Sequence, residues 1–385
     1  MDQKVNLMRA LLSAISLNFK YPGRKKYDLS PQELEKILQD IQNDAFHFRT
    51  MKRLFRPKPN KPGKLRPITK PHKKDVIVLK ALSEVLSSTF NEVFLPCSHG
   101  FRKKKGPATL FADLKTWGSL DLFISADIVS CFDRLTHEKV MIAVQSFVKD
   151  PLIVNLIRGF IKTDIRDDSG KSYAGHNIGI PQGCSPSPVL LNMFLHQFDR
   201  KMDHLAKGYP IRYARYADDL LIAFCSQASQ PTDSPRIDEV KQSLLSFIRE
   251  EELELKLHTH RVNDPFLFLG MLVSIKPGGN VQLIAPLARI GAKIQMMTPS
   301  LDHSTIKGDQ LIPEITREVI LYYNDRVRIY LSTYLSSQNI FALKQFLRKH
   351  LRKRCQEYLA QLYRRSLGDI KQIFGSDLER APLFE

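Results

Sequence analysis

Paired cysteines are missing from this chain. Its 385 residues include five cysteines, Cys97, Cys131, Cys184, Cys225 and Cys355, and no two stand in a CxxC spacing. That argues against a disulfide framework or a structural zinc site and suits a reducing compartment. Also missing is an apolar run of the roughly 18 residues that a membrane-spanning helix needs, so no membrane partner is expected. The first twenty residues carry Lys4, Arg9 and Lys20 but also Asp2, and form neither a clear secretory signal nor a transit peptide. No internal repeat and no long low-complexity tract interrupts the chain. Acids are in short supply: 40 Asp and Glu face 58 Lys and Arg, for a formal net charge of +18. Such an excess says little about fold, but it points to a polyanionic partner, with nucleic acid ahead of an anionic membrane. The rest is ordinary globular composition, 43% hydrophobic and 25% charged, in a chain long enough for two or three packed domains.

Local signals divide the chain. Residues 1–20 read as a short amphipathic helix, broken by Pro22 and Gly23. Ser30, Pro31 and Glu33 open a second helix with a capping box. Residues 48–74 hold eleven Lys or Arg and no acid. Their prolines forbid a regular helix, and "NKPGK" reads as a turn between two short strands. A solvated basic loop is the bland reading; an anion-binding finger fits better, because no nearby acid neutralises it. A helix follows from Asp75, then a basic loop, "CSHGFRKKKG", and a strand over 120–126 that ends at Asp127. "GIPQGCSPSPVLLNMFL" is a Gly/Pro turn feeding a long helix. "IRYARYADDLLIAF" reads as strand, turn, strand, and "FLFLGMLVSI" as a strand. This order implies one mixed sheet with helices on one face. From residue 281 onward the pattern is helical only.

Asp218 and Asp219 sit side by side between an aromatic residue and an apolar run. Charges are rarely buried without partners. A tight turn would let the apolar residues bury while the acids face a cleft and hold a divalent metal; an exposed turn would suit the same pair. Asp127, at another strand end, is compatible with a helix cap as well. Acids on adjacent strands of one sheet would converge, whatever their distance in sequence.

Six ordered segments resemble the reverse transcriptases encoded by group II introns. They are "GKLRPITKP" (63–71), "SHGFR" (98–102), "ADIVSCFDRL" (126–135), "GIPQGCSPSPVLLNMFL" (179–195), "YADD" (216–219) and "FLFLG" (266–270). The resemblance covers roughly residues 25–275. It implies an α+β right-hand polymerase, with an N-terminal extension and fingers over 1–120 and a palm over 121–280, the fingers continuing within 135–180. It implies that Asp127, Asp218 and Asp219 bind two Mg²⁺ with the Ile128 carbonyl, that Lys64 and Arg66 hold the triphosphate of a dNTP, that Phe132 gates the sugar, and that Gln182 lies near the templating pair. Arg102 would touch template or support the fingers, Asn192 would brace the palm, and Asp133, outside the pattern, would cap or form an ion pair. The sequence departs from the family at His99, where Tyr is usual, at Cys184, where the second of two glycines is usual, and at Arg261, where Lys is usual. His258 and His260 read as surface histidines.

Residues 344–365 hold eight Lys or Arg against one acid, Glu357. Apolar residues recur there at helical spacing, which leaves a basic face with Arg348, Lys349, Arg352 and Lys353. A solvated face is the bland alternative; a basic helical face also suits RNA phosphates. The segment, with Tyr323 and Asn324 in "YYNDRVR", resembles the all-helical thumb, or maturase X domain, of the same family, here over 281–385. The resemblance implies group II intron RNA, an RNA template and a DNA primer as partners, with Arg102, Arg261 and the basic face as contacts. A homodimer is among the assemblies it allows. It implies a mitochondrial or chloroplast home if organellar and a cytoplasmic one if bacterial. No cysteine pairs or histidine array follow Arg365, so no His-Asn-His endonuclease is expected. A splicing-only maturase, and a retron, defence or diversity-generating reverse transcriptase, remain as alternatives.

Overall fold

Ser30, Pro31 and Glu33 act as their order predicts. The Ser30 hydroxyl accepts from the Glu33 amide, the Glu33 carboxylate accepts from the Ser30 amide, and the proline sits in the first turn. The structure is a computed structural model describing residues 7–20, 27, 29–57, 63, 65–173, 177–226, 234–299 and 313–380. Its elements run α1 (Leu7–Lys20), α2 (Pro31–Gln42), β1 (Met51–Pro57), β2 (Leu65–Lys70), α3 (Val76–Phe90), α4 (Pro107–Leu114), β3 (Leu120–Ile128), α5 (Cys131–Arg134), α6 (His137–Phe147) and α7 (Pro151–Ile161). Then come β4 (Ile165–Arg166), α8 (Ser187–Gly208), β5 (Ile211–Tyr216), β6 (Asp219–Cys225), α9 (Ser234–Glu250) and β7 (Leu255–Arg261). The last are β8 (Phe266–Phe268), β9 (Met271–Ile275), β10 (Val281–Ile284), α10 (Leu287–Gln295), α11 (Pro313–Thr333), α12 (Ile340–Leu362) and α13 (Leu367–Arg380).

Packing divides the chain into two compact units, Met1–Gly106 with Phe123–Thr259, and Pro107–Leu122 with His260–Glu385. The single mixed sheet expected from the sequence is three sheets, ordered β2-β1-β4, β5-β6-β3-β7 and β10-β9-β8. In the first unit the four-stranded sheet carries the candidate acids. Phe123 and Ile124 of β3 are buried in succession, as are Leu220 to Phe224 of β6, and the helix α8 buries Leu190, Leu191, Met193, Phe194 and Leu195. A central strand covered on both faces reads as a continuous apolar run rather than an alternation. The β1–β2 hairpin sets Lys52 opposite Lys70 and Arg56 opposite Arg66. Like charges directly opposite destabilise a sheet, and Lys52 is offset by an ion pair with Asp168.

The second unit departs from expectation in two ways. It takes in Pro107–Leu122 and resumes at His260 rather than 281, and it is not all helical, since β10 lies at Val281–Ile284 and pairs with β9. "FLFLGMLVSI" is also not one strand. Leu269 and Gly270, at φ 47° and 88°, turn it into the β8–β9 hairpin, which a continuous apolar run had concealed. The helical part matches the pattern. Leu343, Leu347, Leu351, Cys355, Tyr358 and Leu359 of α12 are buried. Tyr323 is fully buried, its hydroxyl donating to the Met297 carbonyl (3.2 Å), and Asn324 is buried beside it. This pair therefore serves the unit's core. Among the described residues no helix is long and apolar enough to cross a membrane.

Candidate active site

Asp127 lies at the end of β3, and Asp218 in the two-residue turn between β5 and β6. The Ile128 amide donates to the Asp218 carbonyl (3.2 Å). That bond joins residues 90 positions apart and brings the two acids together. The turn closes on the Tyr216–Asp219 pair. Ala217, its first central residue, has φ 58°, and Asp218 is not in the left-handed region. A positive φ at the first central position alone is the II′ signature, which matches strand twist. The Asp218 carboxyl, half-buried, is held above the ordinary carboxylate range, first by burial and then by the charge of Asp127, against the pull of Arg66 and Arg215.

A pair of hard oxygen donors that disfavour each other's charge fits a divalent cation. Among the described residues, however, no three His, Cys, Asp or Glu side chains gather tightly enough to ligate one ion. The Ile128–Asp218 bond and the mutual charge of Asp127 and Asp218 join these two acids, and Asp219 opens β6 one residue later. Mg²⁺ asks for no more than one or two carboxylates, with water and substrate phosphates completing its shell, so the Asp127–Asp218 pair fits it.

Arg215 fixes the turn from below. It is fully buried, and all five of its N–H donors are used. Nε reaches Asp199 Oδ1 (2.7 Å) and Nη2 reaches Asp199 Oδ2 (2.5 Å) and Ser98 Oγ (2.9 Å). Nη1 reaches Asn192 Oδ1 (3.0 Å) and the Ala217 carbonyl (3.1 Å). Burial works against the guanidinium charge, but Asp199 more than reverses that and keeps it firmly protonated. Asn192, expected to brace the palm, does so: its Nδ2 also donates to the Gly100 carbonyl (2.9 Å). The sequence reading missed Arg215 and Asp199 as partners. The available signal was an arginine inside an apolar strand, which demands a buried counter-charge.

Gly100 shows how closely the "SHGFR" loop lies on this turn. A Cβ there would overlap the Ala217 amide nitrogen and stand 3.0 Å from the Tyr216 carbonyl carbon, both backbone atoms. Gly100→Ala is accordingly expected to cost about 1–3 kcal/mol, read by urea unfolding; an unchanged midpoint would show that the loop does not rest on the turn.

Beside the acids lies a cleft of ≈ 390 Å³ lined by Phe101, Phe132, Gln182, Gly183, Cys184, Ser185, Ser187 and Pro188. Phe132 and Gln182, chosen from separate motifs, thus share one cavity. The Gln182 carbonyl accepts from the Thr69 amide (2.6 Å), which ties this loop to β2. Gly183, at φ 105°, lies where a Cβ would meet Ile68 Cγ2 at 2.8 Å, so the loop can approach β2 this closely only through a glycine. Cys184 packs in the core against Met51 Sδ and the Thr69 carbonyl, and burial pushes its thiol up to about 12. Arg66 of β2 is exposed and near enough for its charge to act on Asp218. Lys64 lies outside the described residues.

A family model described as "Reverse transcriptase (RNA-dependent DNA polymerase)" matches residues 56–273. The chain belongs to the reverse transcriptase family. It is 29% identical over 202 residues to the "Uncharacterized 91 kDa protein in cob intron" of Schizosaccharomyces pombe, covering 49% of this chain and 24% of that protein. It is 29% identical over 174 residues to the "Group II intron-encoded protein LtrA" of Lactococcus lactis, covering 44% and 28%. The matched region thus spans about a quarter of the length of these relatives. A solved structure of apo telomerase from Candida tropicalis aligns with a TM-score of 0.48 at 10% identity, over 87% of this chain and 59% of that one. The right-hand α+β class follows from the family and from the acid-bearing sheet.

The remaining motif residues of the chain divide. Arg102 supports its own loop: Nη1 donates to the Leu95 and Ser98 carbonyls (2.7 and 2.9 Å) and Nη2 to the Asn91 carbonyl (2.5 Å). Those bonds give the guanidinium a bracing role in its own loop. Asp133 pairs with Arg53 (3.9 Å), as its place outside the pattern suggested. His99 is buried, and burial, then the charges of Lys105, Arg102 and Arg215, push it down to about 3, so it stays neutral. His258 is exposed, but His260 is not a plain surface residue; it stacks on Phe266 with centroids 3.9 Å apart and lies 3.5 Å from Asp264. In the second unit Arg261, Lys349 and Lys353 are exposed, whereas Arg348 and Arg352 are half-buried, with Nε and Nη2 of Arg348 buried and unpaired.

Proposed function

We propose that this chain copies RNA into DNA by extending a DNA primer with dNTPs, and that its RNA partner is a group II intron whose splicing it assists. The observation that carries the reading is the meeting of Asp127 and Asp218 beside a cleft that holds Phe132 and Gln182. Two Mg²⁺ held by Asp127, Asp218, Asp219 and the Ile128 carbonyl would supply the positive charge that activates the primer's 3′ hydroxyl and stabilises the transferring phosphate. Arg66, with Lys64, pairs with the triphosphate, the arginine through a bidentate fork. Phe132 stands against the sugar and excludes a 2′ hydroxyl, and Gln182 positions the nucleotide. Arg215 and Asp199 hold the acid turn still while the charge distribution changes.

The test is primer extension on an RNA template with Mg²⁺, wild type against Asp218→Asn. Extension by the wild type alone supports the reading; extension by both removes the acid from the mechanism; extension by neither, with RNA still bound, leaves a splicing-only protein. Replacing Phe132 with Val is expected to lower the dNTP-over-rNTP preference in kcat/KM by about ten- to a hundred-fold, because the wall against a 2′ hydroxyl is gone. Unchanged discrimination would move the gate elsewhere.

The name of the Lactococcus lactis relative and the basic face of α12 support intron RNA as the partner. Lys349 and Lys353 are two of its exposed cations. Lys349→Gln with Lys353→Gln is expected to weaken binding of structured RNA and to reduce the slope of log K against log salt by about 1–2. An unaltered slope would exclude this face from the interface.

A further inference from the structure

Phe101 is an exposed aromatic in a conformation that bulky side chains avoid. Its φ is 57° and its side chain is 47% exposed. Single exposed hydrophobes need no explanation, but a left-handed phenylalanine does, and such strain persists only where the surroundings over-determine it. Here they do. On one side Gly100 is pressed against the Ala217 amide, its carbonyl held by Asn192. On the other, Arg102 is tied to three carbonyls. Between these pinned residues the ring has no route into the core. It stands in the cleft with Phe132 and Gln182, its centroid 6.2 Å from that of Tyr216, the residue that opens the acid turn. Lys103 and Lys104 follow it and are exposed. An outward aromatic beside solvent-facing cations is how proteins stack on nucleic-acid bases.

We infer that Phe101 is a stacking platform for the terminal base pair of a primer–template duplex. This rests on the reading of the cleft as the nucleotide site, and it adds to that site the surface that seats the end being extended. The ring borders the cleft that would receive the nucleotide and neighbours Tyr216, which opens the acid turn. The basic stretch after it matches the phosphates of the same duplex.

The experiment needs no turnover. A DNA primer ending in 2-aminopurine is annealed to RNA and bound to the full chain without dNTP, and its emission is compared with that of a primer carrying the probe five base pairs inward. Wild type is expected to change the emission of the terminal probe and not of the internal one. Phe101→Ala should lose that change and bind the duplex on the order of ten-fold more weakly, Phe101→Tyr should keep both, and Phe101→Leu, which retains bulk without a ring, should lose the emission change. Phe101→Gly should melt at a higher temperature than wild type, since the left-handed strain is relieved. Terminal emission unchanged by Phe101→Ala, or by Phe101→Leu if the alanine variant fails to fold, would overturn the proposal. So would a response to free 2-aminopurine deoxynucleoside triphosphate with none to the primer end, because that places the incoming nucleotide on the ring. A wild type that responds at the primer end yet extends nothing would count against the polymerase reading and leave the platform standing.

Discussion

Asp218→Asn is expected to reduce primer extension by at least about a thousand-fold and, at the same time, to raise the melting temperature of the metal-free protein. The two effects share a cause. Burial and the Asp127 charge hold the Asp218 carboxyl above its ordinary value in the folded chain. Its folded pKa thus exceeds its unfolded one, and the folded state binds the proton more strongly. The stability this contributes is fully present below the unfolded value of about 4 and is lost as pH rises through the folded value. At neutral pH the metal-free wild type therefore carries an unfavourable charge that the asparagine removes. Thermal melts of both proteins from pH 4 to 8, with and without Mg²⁺, check this. The wild type should lose stability relative to the variant as pH rises, and Mg²⁺ should restore it in the wild type alone. A variant that melts lower than wild type across that range would contradict the like-charge account of the site.

Arg215→Met is expected to destabilise the protein by about 3–5 kcal/mol, the second large effect. The loss exceeds the worth of the ion pair itself, because Asp199 is left charged in a fully buried place. Tyr213, whose hydroxyl donates to Asp199 Oδ1 (2.9 Å), cannot neutralise it. Removing both charges together, as Arg215→Met with Asp199→Leu, should cost less than the sum of the single changes, since no orphaned charge remains. Arg215→Lys should not rescue, for an ammonium has three donors where five acceptor contacts are made. Urea unfolding of the four proteins measures the coupling; additive losses would mean that the pair does not interact as its 2.5 and 2.7 Å contacts imply. Because Arg215 also holds the Ala217 carbonyl, any variant that folds should extend primers with lower kcat at little changed KM for dNTP.

Much of the local structure was legible because its signals are local. The capping box of Ser30 and Glu33, the strand–turn–strand around Asp218 and the apolar stripe of α12 each rest on residues within one or two turns of chain. The misses share the opposite property. The β8–β9 turn at Leu269 and Gly270 was hidden in an apolar run where periodicity gives no break. The strand β10 is four residues long and is held by its partner β9 rather than by its own pattern. Gly100 carries no sequence sign of the backbone it touches, which lies 117 positions later.

By itself the sequence determined the chemical inventory of this chain: hard acids at strand ends, an acid-free basic hairpin, a glycine–proline turn before a long helix, and a basic helical face. Residue type and nearest-neighbour spacing decide those. Only the tertiary structure decided that Asp127 meets Asp218, that Arg102 braces its own loop, and that Phe101 is held in the cleft. The first and last depend on a hydrogen bond or a steric contact between segments far apart in sequence, and local periodicity holds no record of which distant strand or loop will supply the partner.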